Sequence, residues 1–438
     1  MNGSTVSSIS IDNNDPKGYR RTLELQQRFD HAKQALLERD PWTTPDGERP
    51  PGPPELRCDL ALEGGGVKGI ALVGAVLVLD EAGYKIQRVA GTSAGAIAAS
   101  LIAAIVHSGH PMVELKNHLA TMQFRNFMPE GKIHQFIDRV GHQAGVVTAD
   151  FAILLTRMGL YPGTYLSEWL GPILKGLGVE TFKDLRITQD DDPGMSLPTE
   201  RQFRLVVHTS DITRHVLARL PWDYGHYGKD QNLMEVVKAV RASMSIPFFF
   251  EPVEFDASEA TVNIPMPGGD TAPQHYAAGT VTWVDGGMLR NFPIDAFDRM
   301  DDKKSRWPTV GIKLSSFDAD FGVTTACTHT LGLATHCLQT MMNEWDQYSI
   351  EASSAARTIF ISNSGITATQ FDLSQEQQDQ LFMNGVAAAT DFVIEMGGLG
   401  CIPREPDQCE QLAALRKALT AAAPQPAPLP LASSPKSP

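Results

Sequence analysis

Two glycine-rich motifs could supply a nucleophile and the groups that stabilise an oxyanion. The first, EGGGVKG at residues 63–69, presents backbone N–H groups with no side chains to block an approaching atom. The second, GTSAG at residues 91–95, has the G-x-S-x-G spacing that holds a serine, here Ser93, in a sharp turn between a strand and a helix. Backbone donors beside a nucleophilic serine indicate acyl transfer.

A third motif, WVDGG at residues 283–287, offers a base for that serine. Asp285 follows a run of β-forming residues, so we expect it at the carboxyl end of a strand, where α/β sheets place their sites. The alternative is a turn-forming Asp-Gly pair. Histidines are weaker candidates. His329 and His336 do not stand in an obvious loop at a strand end, and His208 and His215 flank a turn. A lone histidine at such a position is more often a structural or surface residue than a catalyst.

Each motif also has a simpler interpretation. The glycine turn could be a tight β–α connection or a phosphate cradle, although it lacks the Gly-Lys-Ser/Thr ending of a Walker A loop. The GTSAG segment could be a close-packed turn of small residues. Lys68, in the first helical turn, could orient the glycine loop or offset negative charge nearby.

The elements around the motifs alternate between strand and helix. Strands are predicted at 57–62 and 86–90, and helices at 67–82 and 94–108. This alternation is typical of an α/β protein with a largely parallel sheet. Later strands are predicted at 203–208, 281–284, 310–314 and 358–362. A late helix over 375–396 begins with a capping box formed by Ser374 and Gln377.

Composition divides the chain into a body and two ends. Residues 56–417 are predicted to form the catalytic domain, and residues 418–438, rich in Pro, Ala and Ser, a disordered tail. Residues 1–55 form an N-terminal extension, with disorder at 1–17 and a Pro-rich linker at 41–54. Between these, residues 19–40 predict an amphipathic helix whose apolar face consists of Leu25, Phe29, Ala32 and Leu36.

The overall charge restricts the partners. With 438 residues, 42% of them hydrophobic, the chain can bury a large core, and its formal net charge is −14. That charge argues against nucleic acid and against electrostatic adhesion to anionic lipid, so any membrane contact would be mainly apolar. Five cysteines without C-x-x-C spacing indicate neither a zinc site nor a disulfide framework.

The same features predict a location. The N-terminus lacks the apolar core of a signal peptide, and no apolar stretch is long enough to span a bilayer. We therefore expect a cytoplasmic protein, peripheral at membranes at most. Delivery as a secreted effector stays open, as does the oligomeric state.

The three motifs, in this order, resemble those of the patatin-like phospholipases, whose pattern is G-G-G-x-[RK]-G, G-x-S-x-G and D-G-[GA]. Further segments are similar to that family, namely LVVHTSDIT at 205–213, RASMSIPFFFEPV at 241–253 and GGMLRNFPI at 286–294. The resemblance covers roughly residues 57–400. It implies an α/β protein with the three-layer α/β/α patatin-like fold and a mostly parallel central sheet.

The resemblance also implies roles for single residues. Ser93 would be the nucleophile and Asp285 the base of a dyad without histidine. The N–H groups around Gly64, Gly65 and Gly66 would form the oxyanion hole. Supporting residues would be Lys68, Gly91, Gly95, Gly286 and Gly287.

The implied activity is that of a serine lipid acyl hydrolase of the phospholipase A or lysophospholipase type. Its substrate would be a phospholipid or another acyl-ester lipid, and it would need neither cofactor nor metal. The alternatives are an acyltransferase that uses the same dyad and a non-catalytic lipid-binding or scaffolding protein. Head-group, positional and chain-length preference stay undetermined.

Two regions depart from the family pattern. Residues 254–279 are rich in Pro and Gly and are predicted to be an insertion before the catalytic strand. Apolar residues between 124 and 160, and the PFFF run at 247–250, could form a lipid entrance or a membrane-touching surface. Packing in the core is the simpler interpretation of both apolar runs.

Overall fold

A computed structural model describes residues 8–127, 158–265, 270–299, 305–314, 340–341, 352–368 and 370–404. Its strands are β1 (Ile9–Ile11), β2 (Tyr19–Arg21), β3 (Leu56–Leu62), β4 (Tyr84–Thr92), β5 (Gly159–Tyr161), β6 (Leu205–Asp211), β7 (Val216–Leu220), β8 (Phe248–Phe250), β9 (Val253–Ala257), β10 (Ala260–Pro265), β11 (Thr271–Tyr276), β12 (Gly279–Asp285), β13 (Thr309–Lys313) and β14 (Thr358–Phe360). Its α-helices are α1 (Leu23–Arg39), α2 (Ile70–Glu81), α3 (Ala94–Ser108), α4 (Glu114–Ala120), α5 (Thr164–Gly176), α6 (Val236–Ser243), α7 (Gly287–Arg290), α8 (Ala352–Ala356) and α9 (Gln375–Leu399).

The central sheet has the strand order β14-β13-β3-β4-β6-β12-β9, with β7 also paired to β6. All neighbours from β14 to β6 are parallel, and β12 is antiparallel to both β6 and β9. Helices flank the sheet in a three-layer α/β/α arrangement, which confirms the predicted fold class. Because the parallel strands are covered on both faces, β3 and β13 are buried along almost their whole length.

Helix α3 begins and ends where the sequence predicts. It is rich in Ala and Gly and is buried from Ala94 to Ile105. Small residues let the start of the helix approach the sheet closely, since a Cβ on Gly95 would lie 2.3 Å from the Leu62 carbonyl oxygen. The late helix α9 is also confirmed, with the predicted capping box of Ser374 and Gln377 at its start.

The N-terminal region differs from the prediction. The disorder expected up to residue 17 is wrong for the described residues from 8 onward, because β1 pairs with β2 in an antiparallel hairpin. Tyr19 belongs to that hairpin, so the helix begins at Leu23. Tyr19 is buried, and its hydroxyl donates to Glu81 (2.6 Å). The predicted apolar face of α1 is buried as expected.

Helix α9 packs between α1 and α2. Glycines make both contacts close: a Cβ on Gly397 would lie 2.4 Å from the Cβ of Ala32, and one on Gly385 would lie 2.0 Å from the Ala71 carbonyl oxygen. The Pro-rich segment after α1 is irregular, as predicted, and its Trp42 packs edge-on against Trp307. The N-terminal region therefore packs against the body of the protein.

The predicted insertion contains most of β9 and the β10–β11 hairpin, which pairs only with itself among the described strands. The apolar region at 124–160 lies mostly outside the described residues, although Phe127 is buried against Phe250 and Phe371. The tail at 418–438 lies wholly outside them. Among the helices that the structure describes, none combines the length and apolar character needed to cross a bilayer.

Candidate active site

Ser93 occupies the turn between β4 and α3. Its backbone angles, φ 53° and ψ −122°, lie in a region that residues with a side chain rarely adopt. The turn is also tight, because a Cβ on Gly91 would lie 2.3 Å from the Gly95 carbonyl oxygen. Glycine at both flanking positions therefore lets the chain hold the serine in this strained conformation.

Strands β4 and β12 meet end to end along one edge of β6. Thr92, the last residue of β4, pairs with His208, and Asp285, the last residue of β12, pairs with the adjacent Thr209. Strand β7 pairs with β6 beside both of them and so occupies the opposite edge. The two strands run in opposite directions, and their carboxyl ends face each other. This topology brings Ser93 to Asp285.

The Asp285 carboxyl group is fully buried, and burial raises its pKa to about 7. Two contacts lower that pKa, although by less than burial raises it. They are the contact with the Ser93 side chain and the hydrogen bond from the Gly287 N–H to Oδ1 (2.7 Å). Among the described residues, no group meets the distance and angle of a full hydrogen bond to Oδ2. The Ser93 side chain is close enough to affect the pKa of the Asp285 carboxyl group, in a contact that is looser than a full hydrogen bond.

The glycine turn packs directly against the serine. A Cβ on Gly64 would lie 3.1 Å from the Cβ of Ser93 and 2.3 Å from Oδ1 of Asn291. The Gly64 N–H donates to the Asn291 carbonyl oxygen (3.1 Å), and the Asn291 side-chain amide donates back to the Gly64 carbonyl (3.2 Å). The Gly64 N–H is thus committed to holding the loop and is not free to bind an oxyanion.

Three other backbone donors remain near the serine. Within the described part of the chain, no acceptor is found for the N–H groups of Gly65, Gly66 and Ala94. Gly66 has φ +56°, and a Cβ on it would lie 1.9 Å from the Ala368 carbonyl oxygen. The turn at this position therefore requires glycine on two grounds, its left-handed backbone and the close approach of another segment.

Glu63, just before the glycines, anchors the turn to the end of β13. Its carboxylate accepts hydrogen bonds from the Lys313 ammonium and the Leu314 N–H, and both charged side chains are buried. The Lys68 ammonium donates to the Leu314 carbonyl oxygen (3.5 Å). This contact joins Lys68 to the end of β13, and its supporting role stays a prediction. The sequence alone did not predict the Glu63–Lys313 ion pair, because the two residues are far apart along the chain.

The histidines offer no better base. His208 lies at the junction of β4 and β12, but burial lowers its pKa to about 3, so its ring is neutral and weakly basic. His215 is exposed in the turn between β6 and β7. His329 and His336 lie outside the described residues. Among those residues, no three His, Cys, Asp or Glu side chains are grouped so that they could hold a metal ion.

A separate cleft lies towards the amino-terminal ends of β3 and β13. Its walls include Asp59, Arg88, Asp192 and Arg306. The arginines pair with the aspartates, Arg306 with Asp192 at 2.6 Å and Arg88 with Asp59 through two nitrogens. These pairs fix the surrounding loops, and the cleft takes no part in the geometry around Ser93.

Comparison with known families places these motifs in context. The family model for patatin-like phospholipases matches residues 60–298, more than half of the chain. Among curated proteins, the uncharacterised YqhO of Bacillus subtilis is 31% identical over 323 residues, which cover 74% of this chain and 93% of YqhO.

Solved structures give more distant matches. VipD from Legionella pneumophila is 16% identical, with a TM-score of 0.38 over 78% of this chain and 67% of VipD. The type III effector ExoU from Pseudomonas aeruginosa is 12% identical, with a TM-score of 0.37 over 84% of this chain and 61% of ExoU. These scores are low, so the family assignment depends on the family model.

Proposed function

The chain belongs to the patatin-like phospholipases, a family of lipid acyl hydrolases, and we propose that it is a phospholipase A or lysophospholipase that acts through a dyad of Ser93 and Asp285. The observation that supports the dyad is the meeting of β4 and β12 end to end on β6. A strained serine and a buried carboxyl group come together there. Within the described part of the chain, Oδ2 of that carboxyl group receives no full hydrogen bond, and no acceptor is found for the neighbouring backbone N–H groups.

In the first step, Oδ2 of Asp285 accepts the hydroxyl proton of Ser93 as Oγ attacks the ester carbonyl of the lipid. The negative charge that develops on the carbonyl oxygen is stabilised by the N–H groups of Gly65, Gly66 and Ala94. When the tetrahedral intermediate collapses, the carbon–oxygen bond to the leaving alcohol breaks, and that alcohol takes the proton from Asp285. The fatty acyl group stays on Ser93 as an ester.

In the second step, Asp285 accepts a proton from water, which attacks the acyl-enzyme. The same backbone donors stabilise the second intermediate, and the fatty acid leaves as Oγ regains its proton. A general base is most effective when its pKa lies near the working pH. The burial of Asp285 meets this condition, since it raises the pKa of the carboxyl group to about 7.

The test uses wild-type protein, Ser93→Ala and Asp285→Asn with mixed phospholipid vesicles, and the products are identified by mass spectrometry. We expect free fatty acid and lyso-lipid from the wild type, and a loss of about three orders of magnitude or more in each variant, as for other nucleophile and base deletions. Ser100→Ala is the matched control, because it removes a buried serine hydroxyl from the same helix, α3, away from the turn.

Two results would contradict the proposal. Substantial turnover by Ser93→Ala or Asp285→Asn would exclude the dyad. Transfer of the acyl group to an added alcohol, with little free fatty acid, would instead identify an acyltransferase. Melting temperatures of all variants, measured in parallel, show whether a loss of activity reflects chemistry or folding.

A further inference from the structure

The sheet does not itself tie the serine to the aspartate. Strands β4 and β12 lie end to end on β6, so no ladder hydrogen bond joins one to the other. The chain that leaves α6 spans this junction. The Ser243 hydroxyl oxygen accepts the N–H of Ser93 (2.9 Å), and the same hydroxyl donates to the His208 carbonyl oxygen (2.6 Å).

The backbone of the same segment holds the other side of the junction. The Ser245 carbonyl oxygen accepts the N–H of Asp285 (2.9 Å), and the Ser243 carbonyl oxygen accepts the N–H of Gly286 (3.3 Å). One short segment thus contacts the backbone of the nucleophile and of the base. The bond to His208 fixes it to β6, where the two strand ends meet.

We propose that Ser243 is a positioning residue for acyl transfer, whose hydroxyl holds the Ser93 turn in register with Asp285. This inference rests on the proposed function. Ser243 is fully buried, and its hydroxyl is the acceptor for an N–H at the most strained residue of the site. Without it, that N–H and the His208 carbonyl would both be buried without this partner, and the turn would relax.

Arg241 anchors the segment that contains Ser243 and Ser245. Its guanidinium donates to the carbonyl oxygens of Pro162 (2.6 Å) and Glu251 (2.9 Å), and it also donates to the Ser245 hydroxyl. Burial lowers the pKa of Arg241 to about 10, so the group stays charged at neutral pH. The Ser243 hydroxyl is therefore presented to Ser93 from a rigid support, and small displacements of a nucleophile are costly to the rate.

The experiment compares wild type, Ser243→Ala, Ser243→Cys and Ser100→Ala on a soluble short-chain p-nitrophenyl ester, with the rate of labelling by a fluorophosphonate measured in parallel. Ser100→Ala is again the control, because the Ser100 hydroxyl is equally buried and, among the described residues, donates to the Ile97 carbonyl of its own helix. For Ser243→Ala we expect kcat to fall about tenfold or more with KM within about twofold, and labelling to slow in proportion.

Ser100→Ala should lower the melting temperature about as much as Ser243→Ala does. It should nevertheless keep kcat within about twofold of wild type. Ser243→Cys has a weaker acceptor of similar size and should lie between Ser243→Ala and wild type. If Ser243→Ala does not fold, the kcat of Ser243→Cys tests the positioning role of Ser243. A kcat in the folded Ser243 variants equal to that of Ser100→Ala would overturn the inference.

The wild-type protein separates the two proposals. If it is labelled and turns over substrate while the Ser243 variants react equally fast, only the role of Ser243 fails. If wild type is neither labelled nor active, the proposed function fails, and the role of Ser243 fails with it.

Discussion

In the proposed mechanism Asp285 is the base, and burial is the largest of the effects that shift the pKa of its carboxyl group. With a pKa of about 7, the carboxyl group is protonated and inactive in mildly acidic solution. We therefore expect kcat/KM for a soluble ester to rise about tenfold per pH unit below the pKa and to level off above it. Initial rates across neutral pH test this. A rate that is already constant well below neutral pH would exclude Asp285 as the base.

The same shift predicts how Asp285 affects stability. Its folded-state pKa of about 7 is higher than the value of about 3.9 expected for an unfolded chain. Its contribution to stability is then complete below the unfolded pKa and is lost as the pH rises through the folded pKa. Asp285→Asn should melt at a higher temperature than wild type in mildly alkaline solution, and the difference should vanish in acid. A variant that is less stable in alkaline solution would contradict this.

Gly66 is the residue of the turn that tolerates a side chain least. Gly66→Ala would combine a left-handed backbone with a contact of 1.9 Å to the Ala368 carbonyl oxygen, so we expect activity to be lost and the melting temperature to fall. Gly109→Ala is the matched control, since Gly109 is also left-handed (φ +71°) but has open space around it. Equal effects of both substitutions on activity would show that backbone strain alone, rather than the collision, disturbs the site.

At the level of residues, the motifs predicted Ser93 and Asp285 because strong local constraints mark them. Glycines stand on both sides of Ser93 and directly after Asp285, and each of the two residues follows a β-forming run. The residues that hold these motifs in place have no comparable local sequence signal. Ser243 contacts Ser93 from 150 positions away along the chain, and Asn291 contacts Gly64 from 227 positions away. A serine or asparagine in a loop satisfies many local patterns, and only the folded chain shows which backbone group it binds.

Among the elements, β3 and β13 are joined by more than their ladder. Glu63 and Lys313 form a buried ion pair at their carboxyl ends, where the glycine turn begins. Glu63→Gln would leave the Lys313 charge without that carboxylate, and breaking such a pair typically costs about 3–5 kcal/mol. We expect a lower urea midpoint and a lower kcat. The double variant Glu63→Gln/Lys313→Met should recover part of the stability, and its failure to do so would show that the pair acts mainly through packing.

The helices and strands could be predicted from the sequence where the local pattern was strong. Helix α3 and the capping box of α9 agree with the sequence, because helical periodicity and capping are contained within a few residues. The order of the sheet was not predictable to the same degree. Strand β12 is antiparallel in a mostly parallel sheet, and its register against β6 depends on residues more than seventy positions away. That register is what brings Asp285 to Ser93.

At the scale of the whole molecule, the N-terminal region is joined to the catalytic body by buried contacts. Arg21 donates to the Thr390 hydroxyl on α9 and to the Glu81 carboxylate at the end of α2 (3.0 Å). The same guanidinium lies 4.0 Å from the centre of the Phe29 ring. The Arg21 side chain thus contacts two helices of the body, and Ala32 of α1 lies against Gly397 of α9, so we expect the N-terminal region and the body to unfold together.

Phe29→Ala tests that cooperativity. Phe29 is fully buried, and truncation of a buried phenylalanine costs about 3–5 kcal/mol. If α1 and the body unfold together, the urea midpoints for loss of helical circular dichroism and for loss of esterase activity should fall by the same amount. Leu23→Ala on the same helix is the control, since Leu23 is 77% exposed and its loss should shift neither midpoint appreciably. A Phe29→Ala variant that loses part of its helical signal early, with an unchanged midpoint for activity, would show instead that the N-terminal segment detaches from an otherwise intact catalytic domain.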